Sequence, residues 1–260
     1  MIESVSVIIP SALRKAPDGE LWLTRALRSV AAQTFQPAEV IVGLDPNVDD
    51  EQVMDLFFDL FDHGDKLKTW CEHGKIKGHQ SACNEAVKAS TSTLIAILED
   101  DDKYREKHLQ YLYEAIQRHK VDFVSMSQQQ VDFDGKDLGV FDFPTCSGWI
   151  LRREVWDRIG GFDTSFIVHH DNRFLAELNR LKIRRIHLLE DTPNPPQRQQ
   201  LQVLALFSWL VPIVGSDQVS VERMVHANSI MAGIATNEEK KARSTLEYNS
   251  LIAEYGHVAW

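Results

Sequence analysis

The sequence predicts an α/β fold built on a mostly parallel sheet, and two observations carry that prediction. Short apolar runs alternate with helix-period segments through the first half of the chain, the pattern of a parallel sheet covered on both faces. One such run, Leu94-Ile95-Ala96-Ile97-Leu98, leads straight into Glu99-Asp100-Asp101-Asp102. That junction sets a row of carboxylates at the carboxyl end of a buried strand, where ligands bind in open α/β sheets. Unpaired carboxylates that close raise one another's pKa unless a cation or basic partner offsets them. A hard divalent cation such as Mn2+ or Mg2+ suits oxygen ligands. The plainer alternative is a solvated acidic turn at the start of the next helix.

The elements follow in order. Val5 to Ile9 form a strand that Pro10 ends. Residues 20–33 carry Leu21, Leu23, Ala26, Leu27, Val30 and Ala31, mostly at helical spacing. A second strand, 40–44, runs into the turn Asp45-Pro46-Asn47. Residues 49–61 form a helix with Val53, Leu56, Phe57 and Leu60 inward, and 67–70 a short third strand. A helix over 80–89 follows Gly78 and precedes the acidic strand. Residues 107–119 are helical with Leu109, Leu112, Ala115 and Ile116 inward, and 121–126 form a strand. Beyond lie a strand at 149–151, a short helix at 153–159 stopped by Gly160-Gly161, a helix at 172–181 and a strand at 183–189. Thr192-Pro193-Asn194-Pro195-Pro196 reads as a linker. The expected division is a domain over 1–195 and a helical C-terminal extension over 196–260. Within the extension, 202–210 carries an apolar stripe, and Thr236-Asn237-Glu238-Glu239 forms a capping box for a helix ending near Gly256.

Composition narrows the function. The 260 residues, 43% apolar and 25% charged, suffice for a full globular core. A net charge of −10 argues against a nucleic-acid partner. Cys71, Cys83 and Cys146 are odd in number and lack CxxC spacing, so neither a disulfide framework nor a zinc site is expected. A reducing, cytoplasmic location follows as the expectation. No signal peptide is read at the start. The longest apolar stretch, 201–215, is interrupted by Gln202, Ser208 and Pro212 and falls short of the roughly 20 residues a membrane span needs.

Four segments fall together in one order. They are Val5 to Ser11 with a helix ending Gln33-Thr34-Phe35; Gly78 to Asn84; Leu98 to Asp102; and Ser147-Gly148-Trp149 with Ile159-Gly160-Gly161-Phe162-Asp163 and then Asp171. On these motifs, spanning roughly residues 4–190, the chain resembles the family 2 glycosyltransferases. The resemblance implies a GT-A, Rossmann-like fold, a nucleoside-diphosphate sugar donor and inverting, metal-dependent transfer to a hydroxyl acceptor such as a glycan or a lipid-linked sugar. A metal bridging the two phosphates neutralises the leaving group.

The resemblance assigns the DXD-like element to Glu99-Asp100-Asp101. Asp101 is expected as the direct Mn2+ or Mg2+ ligand, with Asp102 beside it and Asp100 near the ribose or the metal's water shell. Pro10, Ser11 and Asp45 fall where the family's chain meets the nucleoside. Gly78 and Asn84 open the helix motif, in which Cys83 stands in place of the family's usual Arg. Lys75, Lys77 or His79 are the nearby alternatives for the missing contact, with none of them assigned by the sequence. Ser147 and Gly148 are expected around the donor sugar and Trp149 stacked on a sugar face; burial in the core is the alternative for Trp149.

Asp171 corresponds to the family's catalytic base, a carboxylate that takes the acceptor proton during displacement, and His170 replaces its Glu neighbour. As an N-cap of the following helix, Asp171 has a simpler role. His169, His170 and Asp171 are also usable metal ligands. In extended chain, however, adjacent histidines point opposite ways, so at most one reaches a given ion.

The extension is expected to pack on the domain, to contact a second copy of the chain, or to lie on a membrane, the last opposed by its lack of a basic face. A nucleotidyltransferase is a competing reading, but Ser11-Ala12-Leu13-Arg14-Lys15 lacks the glycine-rich loop. A glycosyltransferase-like binding module with impaired activity is another, kept open by Cys83, Glu99 and His170. No GxGxxG follows the first strand, which disfavours a dinucleotide dehydrogenase.

Overall fold

The computed structural model describes residues 3–61, 67–141, 143–190, 213–216, 221–226, 234 and 236–256. The first half runs β1 (Val5–Ser11), α1 (Trp22–Ala31), β2 (Glu39–Leu44), α2 (Glu51–Leu60), β3 (Lys68–His73), α3 (His79–Ala89), β4 (Leu94–Ile97), β5 (Lys103–Tyr104) and α4 (His108–His119). There follow β6 (Phe123–Met126), β7 (Gln128–Val131), β8 (Asp137–Phe141), a 3-10 turn (Cys146–Gly148), β9 (Trp149–Arg152), α5 (Arg153–Ile159) and α6 (His170–Arg180). The chain ends with β10 (Arg185–Glu190), β11 (Ile213–Ser216), β12 (Val221–Met224) and α7 (Glu238–Tyr255).

The main sheet has the order β11-β10-β6-β9-β4-β1-β2-β3. Its pairings are parallel except at β9, which runs antiparallel to β4 and β6. Period-two alternation feeds two cores. Val5, Val7 and Ile9 with Val40, Val42, Leu44, Leu94 and Ala96 pack under α1, α2 and α4. On the other face, Ile8, Ile41, Ile95 and Ile97 pack under α3, α5 and α6.

Pro10 does not end the first strand, which continues to Ser11. The Val5 carbonyl accepts from Ala38 on the β2 side, and the Ile8 carbonyl accepts from Leu98 on the β4 side. Pro10 shares the parity of Ile8, so its missing N–H faces the side where β4 has already stopped, and no ladder bond is lost.

Three regions depart from the sequence reading. A second sheet of order β5-β12-β7-β8 was not visible in the pattern. The expected helical character of 196–260 holds for α7 but is corrected at 213–216 and 221–224. There β11 joins the edge of the main sheet and β12 pairs with β5 and β7. The cap of α7 is Asn237, whose side chain accepts from the Lys240 N–H, rather than Thr236, while Gly256 closes the helix in the left-handed region as expected. The linker at 192–196 and the stripe at 202–210 lie outside the described residues.

α7 packs on α6. The Glu247 carboxylate accepts the N–H groups of Ile167, Val168 and His169, each at 2.9 Å, and Arg243 pairs with it at 2.7 Å. No helix among the described residues is long and apolar enough to cross a membrane.

Candidate functional site

Loops after β1, β2 and β4, the turn before β9 and the first turn of α6 enclose a cavity of about 830 Å³. Its walls include Pro10, Ser11, Asp45, Gly78, the whole run from Glu99 to Asp102, His170 and Asp171. The acidic run and Asp171, well separated in sequence, therefore face one space.

The carboxylates in the run have unequal partners. Asp100 accepts from the Ser11 hydroxyl at 2.6 Å and from Arg14 at 2.9 Å. Asp101 Oδ2 lies 3.2 Å from the Arg14 guanidinium and 2.9 Å from His226 Nε2. Asp102 accepts from the Ser147 hydroxyl at 2.6 Å and the Met224 N–H at 2.9 Å. Ser147 also accepts from the Glu99 N–H at 3.0 Å, so one hydroxyl ties both ends of the run to the turn before β9.

These partners divide the charge. Burial pushes Asp101 upward, but the His226 hydrogen bond and the Arg14 charge more than offset it, and Asp101 ends below the usual carboxylate range. Burial and the neighbouring Asp101 lift Asp102 to about 7. Burial, then the charges of Asp102 and Asp101, hold Glu99 well above its ordinary value. Asp101 is thus the most anionic member. Asp102, expected as a metal ligand, lines the cavity with one oxygen hydrogen-bonded to Ser147 and the other to the Met224 N–H.

On the nucleoside side, Asp45 Oδ1 accepts from the Gly78 N–H at 2.7 Å, joining the end of β2 to the start of α3. Gly78 has φ +128°, a conformation that side chains resist, so a glycine is needed there. Lys77 lines the cavity beside it, whereas Lys75 pairs outward with Glu85 at 3.1 Å. Asn84 does not line the cavity. Its amide donates to the Phe162 carbonyl and accepts from the Phe162 N–H, both at 2.8 Å, and the expected nucleotide contact is corrected to a backbone clamp. Cys83 is fully buried in the core beside it.

The acceptor side also needs correction. Trp149 is fully buried, donates its indole N–H to the Pro144 carbonyl at 3.0 Å and packs on Phe123, Phe162 and Phe174. No face of it is open to a sugar. Gly148 is likewise not among the cavity's lining residues; it packs on the β6 backbone, where a Cβ would lie 2.7 Å from the Met126 carbonyl oxygen. Ser147 acts through Glu99 and Asp102, while Thr145 and Cys146 of the same turn reach the wall.

α6 starts at His170, with His169 as its cap residue, so Asp171 sits in the first turn rather than at the N-cap. Its Oδ1 accepts from the Asn172 N–H at 2.7 Å, and burial raises its pKa. His169 Nε2 meets the Ser244 hydroxyl at 2.8 Å on α7 and His170 Nε2 lies 4.0 Å from Cys146 Sγ; both residues line the cavity, and they sit at a helix start rather than in the extended chain on which the expected divergence rested. Burial lowers His170 to about 4, which leaves it neutral at physiological pH.

Sequence reasoning missed Arg14, Arg223, His226 and Cys146. Arg14 stands just after the first strand, a position that signals a basic group near the acidic run. Arg223 lies in a strand absent from the pattern and His226 just after it, and nothing local marks them.

A family model described as Glycosyl transferase family 2 matches residues 6–179. The "Uncharacterized glycosyltransferase YwdF" of Bacillus subtilis (strain 168) is 26% identical over 184 residues, covering 63% of this chain and 66% of that protein. The chain thus spans just under two thirds of that relative's length, and half of another's. Among solved structures, S. aureus TarS 1-349 in complex with UDP-GlcNAc superposes with a TM-score of 0.59 at 15% identity, covering 96% of this chain and 66% of that one. The mannosyltransferase PcManGT from Pyrobaculum calidifontis, in complex with GDP-Man and Mn2+, gives 0.56 at 16% identity over 80% of this chain and 63% of that one. At such identities the likeness establishes the fold, which is GT-A as expected.

Proposed function

The chain belongs to glycosyl transferase family 2, and we propose that it moves a sugar from a nucleoside-diphosphate sugar to a hydroxyl acceptor, with inversion and with help from a divalent cation. The observation that carries this reading is the single cavity shared by Asp101 and Asp171. The UDP-GlcNAc and GDP-Man bound by the solved neighbours support a nucleoside-diphosphate donor.

The residues present fit a divalent ion. The most anionic carboxylate in the run, Asp101, already draws two basic groups, Arg14 and His226, to its Oδ2. A carboxylate with an imidazole is a donor set for Mn2+ or Mg2+, Mn2+ being the better match to nitrogen. Asp101 and His226 would hold the ion. When bound, it would neutralise charge on the departing diphosphate.

The chain's own groups do the rest. Lys77 and Arg14 supply positive charge along the cavity wall, compensating for the buried Cys83 at the family's Arg position. Asp45, held by the Gly78 N–H, offers its remaining lone pairs to a ribose hydroxyl or a base N–H. Asp171 takes the proton from the acceptor hydroxyl as it attacks the anomeric carbon. Its raised pKa makes it a stronger base than a solvated carboxylate. Phe141 and Phe143 line the same side and present apolar surface to a sugar.

Thermal unfolding with UDP, GDP, CDP and dTDP, each with and without Mn2+, tests the reading. A nucleotide at a hundredfold excess over its Kd stabilises by about 2.7 kcal/mol. The expected result is a response to one nucleotide that Mn2+ enlarges, with the Mn2+ increment lost in Asp101→Ala. Absence of any metal-dependent response would overturn the proposal.

A further inference from the structure

The cavity's acceptor-side wall holds a second group of ligating atoms that the transfer reaction leaves unused. His79 begins α3, Cys146 begins the 3-10 turn and His170 begins α6. One ring nitrogen from each histidine and the Cys146 sulfur all lie within 4.8 Å of one another. Cys146 Sγ is 4.0 Å from His170 Nε2, and the two imidazole centroids are 4.7 Å apart. His79 Nε2 is buried with no hydrogen-bond partner among the described residues. Leaving a buried ring nitrogen unsatisfied costs free energy. That an unpaired nitrogen, a thiol and a further imidazole converge at one point calls for an occupant.

We propose that His79, Cys146 and His170 form a zinc site, separate from the Asp101–His226 pair, with a fourth coordination position open to the cavity. Tetrahedral Zn2+ with bonds of about 2.0 Å to nitrogen and about 2.3 Å to sulfur brings the ligand atoms to roughly 3.5 Å of one another. The present spacing is wider by a fraction of an ångström to just over one, within reach of side-chain torsions. Two neutral imidazoles and a thiolate are a soft set that favours zinc over Mn2+ or Mg2+. On binding, the Zn–S bond forms and the Cys146 proton leaves to solvent. The resulting unit carries a net single positive charge. It lies beside the Glu99 and Asp171 carboxyl groups; burial first, and then these two groups, push the Cys146 thiol up, an effect that a bound cation offsets. The ion would tie together three chain segments that also carry Gly78, Ser147 and Asp171.

The lack of CxxC spacing led to no zinc site being expected from the sequence. These ligands are 67 and 24 residues apart and meet only because α3, the turn before β9 and α6 share one face of the sheet.

Co2+ added to metal-free full-length protein tests the site. A thiolate-to-Co2+ charge-transfer band together with intense four-coordinate d–d bands is expected, and equimolar Zn2+ should bleach both. Cys146→Ser should remove the charge-transfer band, while Cys71→Ser and Asp101→Asn should leave it unchanged. A wild-type protein that shows no such band, or a band that survives in Cys146→Ser, would overturn the site. If Cys146→Ser does not fold, X-ray absorption at the zinc edge of wild type decides. A shell with one sulfur and two imidazoles is expected. An all-nitrogen and oxygen shell would put the zinc elsewhere and overturn the assignment. Nucleotide binding enters none of these readouts, so this test can fail independently of the transferase reading.

Discussion

Asp171 and Asn84 mark opposite uses of a polar side chain near the cavity. Asp171 lines it and is lifted by burial, which suits the base role proposed for it. Asp171→Asn keeps the volume and the Asn172 contact but cannot accept a proton. Nucleotide stabilisation should be retained while kcat falls by about a hundredfold to ten-thousandfold, the usual contribution of a general base. In wild type, kcat should drop as pH falls through the raised Asp171 pKa, because only the carboxylate form takes the proton. Transfer that persists in Asp171→Asn, measured by product formation, would remove Asp171 as base. Asn84 does the reverse, spending its whole amide on the Phe162 backbone. Asn84→Ala strands a buried N–H and a carbonyl, and should cost about 2–4 kcal/mol in urea unfolding while leaving nucleotide affinity unchanged. A nucleotide Kd that weakened at unchanged stability would restore Asn84 to the binding surface.

At the scale of elements, α7 sets where α6 begins. Glu247 gathers three consecutive N–H groups just ahead of the first turn that carries Asp171. Glu247→Ala leaves those amides without their acceptor and should destabilise by at least about 2 kcal/mol. Because the loop that aims Asp171 is loosened, kcat should fall more than nucleotide affinity. A fall in both by the same factor would mean that α7 stabilises the whole molecule and aims nothing. No local feature of the sequence announced this role, since a helix read as a separate extension gave no sign that Glu247 faces α6. What was legible is local. β1, β2 and β4 are fully buried apolar runs, and α1, α2 and α4 show their inner faces at helical spacing. What was hidden is carried by long-range pairing. β12 is four residues, Val-Glu-Arg-Met, with no alternation to betray it, yet its register against β7 puts Arg223 and His226 at the acidic run. The same limit explains Trp149. An aromatic after Ser-Gly reads equally as a sugar platform or as core, and only the pairing of β9 between β4 and β6 turns it inward.

Across the whole molecule, the cavity stores negative charge that folding must accommodate, and stability should therefore depend on pH in a way that can be assigned. Asp102 is raised to about 7 in the folded chain, against about 3.9 for an unfolded aspartate. Between those values the folded state binds more protons than the unfolded state, so the Asp102 contribution is complete below about pH 4 and is lost as pH rises towards 7. Three pH units correspond to something on the order of 4 kcal/mol. His79, His108 and His170 act in the opposite sense, because burial lowers each. Their contribution is present above about pH 6.5 and is lost as pH falls, since only the unfolded chain then takes up the protons. The wild-type curve sums opposing slopes over the same window, so its flatness or steepness identifies no single group. The difference between wild type and Asp102→Asn does, because the histidine terms cancel in it. That difference, from urea unfolding in EDTA at several values from pH 5 to pH 8, should move steadily against wild type as pH rises. Mn2+ bound at Asp101 should reduce the drift, since a cation beside the run does the work of the proton on Asp102. A difference that stays level across the range in EDTA would mean that Asp102 is ionised throughout. The Ser147 and Met224 bonds would then outweigh burial, and the division of charge within the run would have to be redrawn with two anionic carboxylates facing the cation site.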